Sequence, residues 1–297
     1  MRLREAAFCA AMLGLAPPAA AQHLRPTDLA GMAVPAPSKI EAYGADPLQF
    51  GELRLPKGAG PFPVAVIIHG GCWTKGFATL TYMSPLAAAL ADRGIATWNI
   101  EYRQLGDKGG GWPGSFLDWA AATDHLRALA KAYPLDLTRV IVVGHSAGAH
   151  AALWVASRGK LATNSEIRGG EPLKISAAVA IDGPGELKPF IGPDQRICGK
   201  PVIAALMGGG PQDTPGHYAQ GDPVELLPSG APTVMISSAV LQPDEAERYR
   251  TAATAKGDQV EVLDLRGAAH FDMLDAKNPP GAVVQALIVQ ALALSRK

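Results

Sequence analysis

Residues 139–150 read Arg-Val-Ile-Val-Val-Gly-His-Ser-Ala-Gly-Ala-His. The β-branched run 140–143 predicts a strand buried on both faces. It breaks at Gly144-His145-Ser146-Ala147-Gly148 and resumes as an alanine-rich helical stretch over 149–157. A G-x-S-x-G pentapeptide between strand and helix is the context in which a serine rides a sharp turn as an exposed nucleophile. Glycines flank Ser146 because such a turn strains the backbone and leaves no room for a Cβ on either side. The rival reading is an ordinary turn whose serine caps the helix.

Outward from this stretch, apolar strands alternate with helical patterns. Short strands at 40–43 and 50–55 suggest an antiparallel hairpin at the sheet edge, followed by strands at 64–68, 95–100, 175–181, 232–237 and 260–265. Helical spacing marks 79–93, 115–133, 244–256 and 281–294. This order predicts an α/β fold, a mostly parallel, right-handed, doubly wound sheet in one domain over 39–297. Residues 22–38 form a proline- and alanine-rich lead-in. Between 184 and 230 the pattern weakens into glycine- and proline-rich sequence, the place for a small cap insertion.

At 297 residues and 48% hydrophobic content the chain can bury a large single core. Its 27 basic and 27 acidic residues balance, which argues against capture of nucleic acid or an anionic membrane surface. The first 21 residues carry basic residues, an apolar stretch from 6 to 15 and Ala19-Ala20-Ala21, the pattern of a cleavable signal peptide. Ten apolar residues fall short of the roughly 20 that span a bilayer. The expectation is a periplasmic or secreted chain with no membrane insertion after cleavage. Cleavage would remove Cys9 and leave Cys72 and Cys198, an even pair that an oxidising compartment would bridge.

A serine hydroxyl needs a base to take its proton. Of seven histidines, His270 lies between the last strand and the last helix, in a loop that opens on the carboxyl edge with the turn at Ser146. Acyl transfer also needs donors for the developing oxyanion, worth about 2.7–4 kcal/mol each. His69-Gly70-Gly71-Cys72 follows the strand where an HGGG-type loop belongs. Backbone N–H groups of Gly71, Cys72 and Ala147 are the expected donors. No histidine pair has metal-ligand spacing such as H-E-x-x-H, so no metal is expected.

The chain resembles α/β-hydrolases of the esterase group that includes hormone-sensitive-lipase-like and kynurenine-formamidase-like enzymes. The resemblance rests on His69-Gly70-Gly71-Cys72-Trp73, Glu101-Tyr102-Arg103, residues 109–113, Gly144 to Gly148 and His270-Phe271-Asp272, within 45–295. It implies an α/β-hydrolase fold, a cap at 184–230, no cofactor and a small-molecule ester as partner. One element departs from the pattern, in which a carboxylate follows the penultimate strand. Here 233–237 continues as Ser238-Ala239-Val240-Leu241-Gln242-Pro243, with no carboxylate before Asp244. Asp244 keeps the chain order serine, acid, histidine, although an aspartate after proline also marks a helix start. Asp182, at the end of the preceding strand, is the second candidate. The expectation is a serine hydrolase of small to medium carboxylic esters. The alternatives are an amide hydrolase of arylformamidase or aminopeptidase type and a non-catalytic binding protein on the same fold.

Overall fold

Among the described residues, eight strands form one sheet in the order β1-β2-β4-β3-β5-β6-β7-β8. They are β1 (Lys39–Ala42), β2 (Phe50–Arg54), β3 (Phe62–Ile68), β4 (Ala96–Ile100), β5 (Leu135–His145), β6 (Ala177–Ile181), β7 (Thr233–Ser237) and β8 (Val260–Asp264). The first two join antiparallel at one edge, and β4 through β8 pair in parallel. This computed structural model describes residues 23–294, so the expected leader at 1–21, with Cys9, lies outside the described residues. The helices are α1 (Pro26–Ala30), α2 (Ser84–Asp92), α3 (Gly114–Asp124), α4 (Leu126–Ala132), α5 (Ala147–Ser157), α6 (Pro193–Cys198), α7 (Ile203–Leu206), α8 (Pro215–Gly221), α9 (Pro243–Ala255) and α10 (Pro279–Leu294).

The continuous apolar runs of β3, β5 and β6 arise because helices cover both faces of the sheet. Successive side chains alternate between two cores. Val64, Val66, Val140, Val142 and Ala178 pack with Phe116, Trp119, Leu153 and Tyr249. Ala65, Ile67, Ile141, Val143 and Val179 pack with Leu86, Leu90, Val284 and Ile288. This is the α/β-hydrolase fold, and it brings the carboxyl ends of β3, β5 and β6 side by side. Ile68 pairs with Gly144, and His145 with Ile181.

Two helices differ from their expected lengths. The stretch 115–133 breaks at His125 into α3 and α4. Thr123 Oγ donates back to the Trp119 carbonyl at 2.8 Å, and Trp98 Nε1 donates to the Ala122 carbonyl at 2.9 Å. Side-chain donors on carbonyls that the helix would otherwise use bend it at that turn. The stretch 79–93 opens as a 3-10 turn at Leu80–Met83 and becomes α-helical at Ser84, with Pro85 in the first turn. The lead-in carries the short helix α1, whose Leu29 is buried.

Between β6 and β7 the chain forms α6, α7 and α8 with 3-10 turns at Lys188–Phe190 and Pro223–Leu226. Helix α5 holds α8 through two side chains. His150 Nε2 donates to the Gly221 carbonyl and Trp154 Nε1 to the Gln220 carbonyl, each at 2.9 Å. The ends of the segment are tied by Asp222, fully buried, whose two oxygens both accept from the Leu187 N–H at 3.1 Å.

Burial pushes the Asp222 carboxyl from 3.8 up to about 7, opposed by the Leu187 N–H and aided by the charge of Glu186. The folded chain therefore binds a proton that the unfolded chain has released between about pH 4 and 7, and stability falls as pH rises through that window. Burial drives His150 down to about 4, which acts in the opposite sense below pH 6.5. The effect of Asp222 is thus isolated by comparing variant with wild type. Asp222→Asn, which keeps an acceptor for Leu187, should gain stability relative to wild type from pH 4 to pH 8, by up to about 4 kcal/mol. Urea denaturation of both proteins at the two pH values measures it, and a pH-independent difference would contradict it.

Candidate active site

Ser146 sits between β5 and α5 with φ 58° and ψ −126°, a conformation that L-residues rarely adopt. Its hydroxyl makes no capping hydrogen bond, which separates this turn from an ordinary serine-capped helix start. Two close approaches hold the turn. A Cβ at Gly148 would collide with the Ile68 carbonyl of β3, and one at Gly183 with the Ser146 carbonyl. The Ser146 N–H donates to the Ile181 carbonyl at 2.8 Å, fixing the turn to the end of β6.

Asp182 follows β6 directly, is fully buried and also has a positive φ, 46°. Its carboxylate accepts from the backbone N–H groups of Ser238, Ala239, Val240 and Leu241 at 2.9–3.2 Å. On its remaining side it meets His270 Nδ1 at 2.6 Å. A carboxylate only accepts, so Nδ1 carries the hydrogen and Nε2 is left as the acceptor nitrogen. The His270 ring lies over the turn, 4.3 Å between centroids from the ring of His145.

The expected acid, Asp244, is not the partner of His270. It stands exposed in the first turn of α9, where a carboxylate favours the helix N-terminus. The segment after β7 curls back on itself, with the Ser238 N–H on the Leu241 carbonyl at 3.1 Å. It thereby supplies N–H donors to a carboxylate from the neighbouring strand instead of a carboxylate of its own. Ser238 Oγ also donates to the Ala268 carbonyl at 2.6 Å, which pins the His270 loop to the same segment.

After β3, three consecutive residues have positive φ: Gly71 at 101°, Cys72 at 54° and Trp73 at 51°. Successive N–H groups on such a backbone point into one concavity. Among the described residues no backbone carbonyl is bonded to the N–H of Gly71 or Cys72. Ala147 opens α5, where first-turn N–H groups lack intrahelical partners. His69 is fully buried beneath this loop, its Nδ1 donating to the Gly70 carbonyl and its Nε2 against Glu101 Oε1, both at 2.7 Å. Burial alone would push the Glu101 carboxyl up. His69 and the N–H groups of Tyr102 and Leu80 bring it below its ordinary value. Tyr102 stacks on His69, and its hydroxyl donates to the His69 carbonyl at 3.0 Å. Arg103 instead pairs through two nitrogens with Asp118.

An apolar pocket opens beside Ser146, walled by Trp73, Pro184, Phe190, Cys198, Ile203 and Val240. Cys72 and Cys198 are bridged, with Cα atoms 6.0 Å apart across 126 positions. The bridge therefore ties the loop after β3 to the end of α6. The other histidines serve packing or surface contacts. His125 stacks on Trp98, His150 is boxed by Trp73, Phe116 and Trp119, and His217 stacks on Trp112. His23 and the Leu24 N–H bond to Asp272, two positions after His270. Among the described residues no group of three or more His, Cys, Asp or Glu side chains could hold a metal ion, and no helix is long and apolar enough to cross a membrane.

A mostly parallel sheet with a strained serine turn after β5 and a histidine loop after β8 defines an α/β-hydrolase. The chain belongs to the BD-FAE family, whose model matches residues 52–241. Solved structures agree on the fold. A truncated carbohydrate esterase from gut microbiota shares 19% identity at a TM-score of 0.71, covering 87% of this chain and 95% of that one. Esterase B of Lactobacillus rhamnosis, in a form inhibited by a tributyrin phosphonate, shares 19% at 0.71, covering 89% and 88%. A thermophilic esterase of Thermogutta terrifontis with bound butyrate shares 17% at 0.67, covering 86% and 93%. A bifunctional GH43-CE protein of Bacteroides eggerthii shares 22% at 0.70, and there 86% of this chain spans only 38% of the other. No curated protein sequence matches.

The bridge closes a loop long enough to constrain the unfolded chain appreciably. Cys198→Ala should lower unfolding stability by about 2–4 kcal/mol, read from denaturant midpoints. An unreduced digest should carry residues 72 and 198 in one linked peptide pair. Two free thiols would contradict the bridge.

Proposed function

We propose that this protein is a serine esterase that cleaves small to medium carboxylic esters through an acyl-enzyme on Ser146. The observation that carries the reading is the 2.6 Å contact between His270 Nδ1 and Asp182, at the edge where the uncapped Ser146 hydroxyl stands. Ser146 Oγ attacks the ester carbonyl carbon while His270 Nε2 takes its proton. Asp182 holds the ring in the required tautomer and stabilises the cation that forms. The carbonyl oxygen gains charge against the N–H groups of Gly71, Cys72 and Ala147. The alcohol departs with the proton from His270, and a water activated by the same ring releases the acid. A long or absent serine–histidine hydrogen bond before substrate binds is common in such sites.

Family membership and esterase neighbours that carry butyrate or a phosphonate support the reaction class. The apolar pocket beside Ser146 suits a short acyl chain. A bridged Cys72–Cys198 pair supports an oxidising compartment, in keeping with a secreted or periplasmic chain.

The test uses p-nitrophenyl butyrate and a fluorophosphonate probe. Wild type should hydrolyse the ester faster than it turns over a formylated arylamine, and the probe should label Ser146. Asp182→Asn should lower kcat about 10⁴-fold, while Asp244→Asn should leave it essentially unchanged. An unlabelled serine, or damage from Asp244→Asn in place of Asp182→Asn, would overturn the assignment.

A further inference from the structure

Resting on the esterase reading, we infer that His145, the buried imidazole directly before Ser146, is a positioning residue that, with Tyr82, sets the place of the His270 loop relative to the nucleophile and the oxyanion donors. The proposed chemistry gives His145 no part, yet its ring is fully buried and bonded at both nitrogens.

Its Nε2 lies 2.9 Å from the His270 carbonyl oxygen. A carbonyl only accepts, so Nε2 carries the hydrogen. In a neutral ring Nδ1 is then an acceptor, and its partner at 3.0 Å, the Tyr82 hydroxyl, must donate to it. The Tyr82 oxygen in turn accepts the Gly70 N–H at 2.5 Å. Every donor and acceptor is fixed by elimination, and the bonds run one way: Gly70 N–H to Tyr82, Tyr82 O–H to His145, His145 N–H to the carbonyl of His270.

The placement of this chain of bonds argues for a role in the reaction. Gly70 precedes the oxyanion donors Gly71 and Cys72, His145 precedes Ser146, and the last acceptor belongs to His270 itself. The strands that carry the nucleophile and the histidine, β5 and β8, are not neighbours. β6 and β7 lie between them, so no ladder of backbone bonds sets one against the other. The His145 side chain crosses that gap directly. Its ring must also stay uncharged, because His270, with its ring centroid 4.3 Å away, becomes a cation during the reaction. Burial and the nearby charge of His270 hold His145 well below its ordinary value, against the pull of the His270 carbonyl. The other titratable groups around it are Tyr82, kept protonated by burial, Asp182 across the His270 ring, and Glu101 behind Tyr82.

Two substitutions divide the bonds. In His145→Gln the amide nitrogen can take the place of Nε2 and keep the bond to His270. In His145→Asn the shorter side chain can keep only the Tyr82 half. A misplacement near 1 Å at a reacting centre can cost about 10²-fold. His145→Asn should therefore lower kcat by about 10²-fold with little change in KM, with phosphonylation of Ser146 slowed in parallel. His145→Gln should recover most of that loss at a comparable thermal midpoint. Equal kcat in the two variants, whether lost or retained, would overturn the role. Should His145→Asn fail to fold, Tyr82→Phe carries the test: a fall in kcat at unchanged KM supports the role, and wild-type kcat overturns it.

Nitrogen-15 NMR of the wild-type imidazoles reads the tautomer without any substrate. Hydrogen on Nε2 of His145, with Nδ1 bare, is the expected result, and the reverse overturns the bond assignment even in an active enzyme. An inactive, unlabelled wild type with the expected tautomer would instead sink the esterase reading, and the positioning role with it.

Discussion

A single buried carboxylate joins three segments that the sheet alone would leave separate. Asp182 gathers four N–H groups from the turn after β7 and the imidazole from the loop after β8, while its own backbone continues β6 beside the serine turn. Hydrogen bonds to a charged group contribute about 1.5–3 kcal/mol each, and a buried charge without such bonds is expensive. The turn at 238–241 therefore has one stable shape, wrapped around Asp182. That shape in turn fixes Ser238, whose hydroxyl anchors the His270 loop.

Most of the scaffold follows from short-range pattern. Apolar runs covered on both faces mark the parallel strands, and a serine between a strand and an alanine-rich helix marks the turn after β5. The proposed acid is different, because Asp182 and Asp244 both lie between Ser146 and His270 in the chain and only the strand next to β5 distinguishes them. Asp244 follows a turn of chain that has already looped back toward Asp182. The clue available in the sequence is Asp182-Gly183. The glycine is required because a side chain there would strike the Ser146 carbonyl, so the pair abuts the serine turn. Tyr82 gives no such clue. The sequence predicts only helical spacing there, whereas in the fold its hydroxyl accepts the Gly70 N–H from the 3-10 turn at Leu80–Met83.

The segment between β6 and β7 is attached by means that resist different stresses. The disulfide fixes α6 to the loop after β3 covalently. His150 and Trp154 fix α8 to α5 by hydrogen bonds, and Asp222 closes the segment on itself. Both ends of the disulfide lie in the wall of the pocket beside Ser146. The shape of that pocket is thus tied to the same loop that offers the proposed oxyanion donors. A segment with so little regular secondary structure needs these cross-links, because short helices contribute little stability of their own.

The same reasoning explains why the residues just before the proposed functional groups matter. A parallel sheet sets neighbouring strand ends to within a hydrogen bond, as the pairing of His145 with Ile181 shows. It has no comparable hold on the loop after β8, two strands beyond β6. Side chains must bridge that distance, and Asp182 and His145 do so from opposite sides of His270, one through the ring and one through the backbone carbonyl. With two points held, the ring can neither slide along the edge nor turn over without breaking a buried bond. Sheet register thus places the serine, while buried polar side chains place the imidazole of His270.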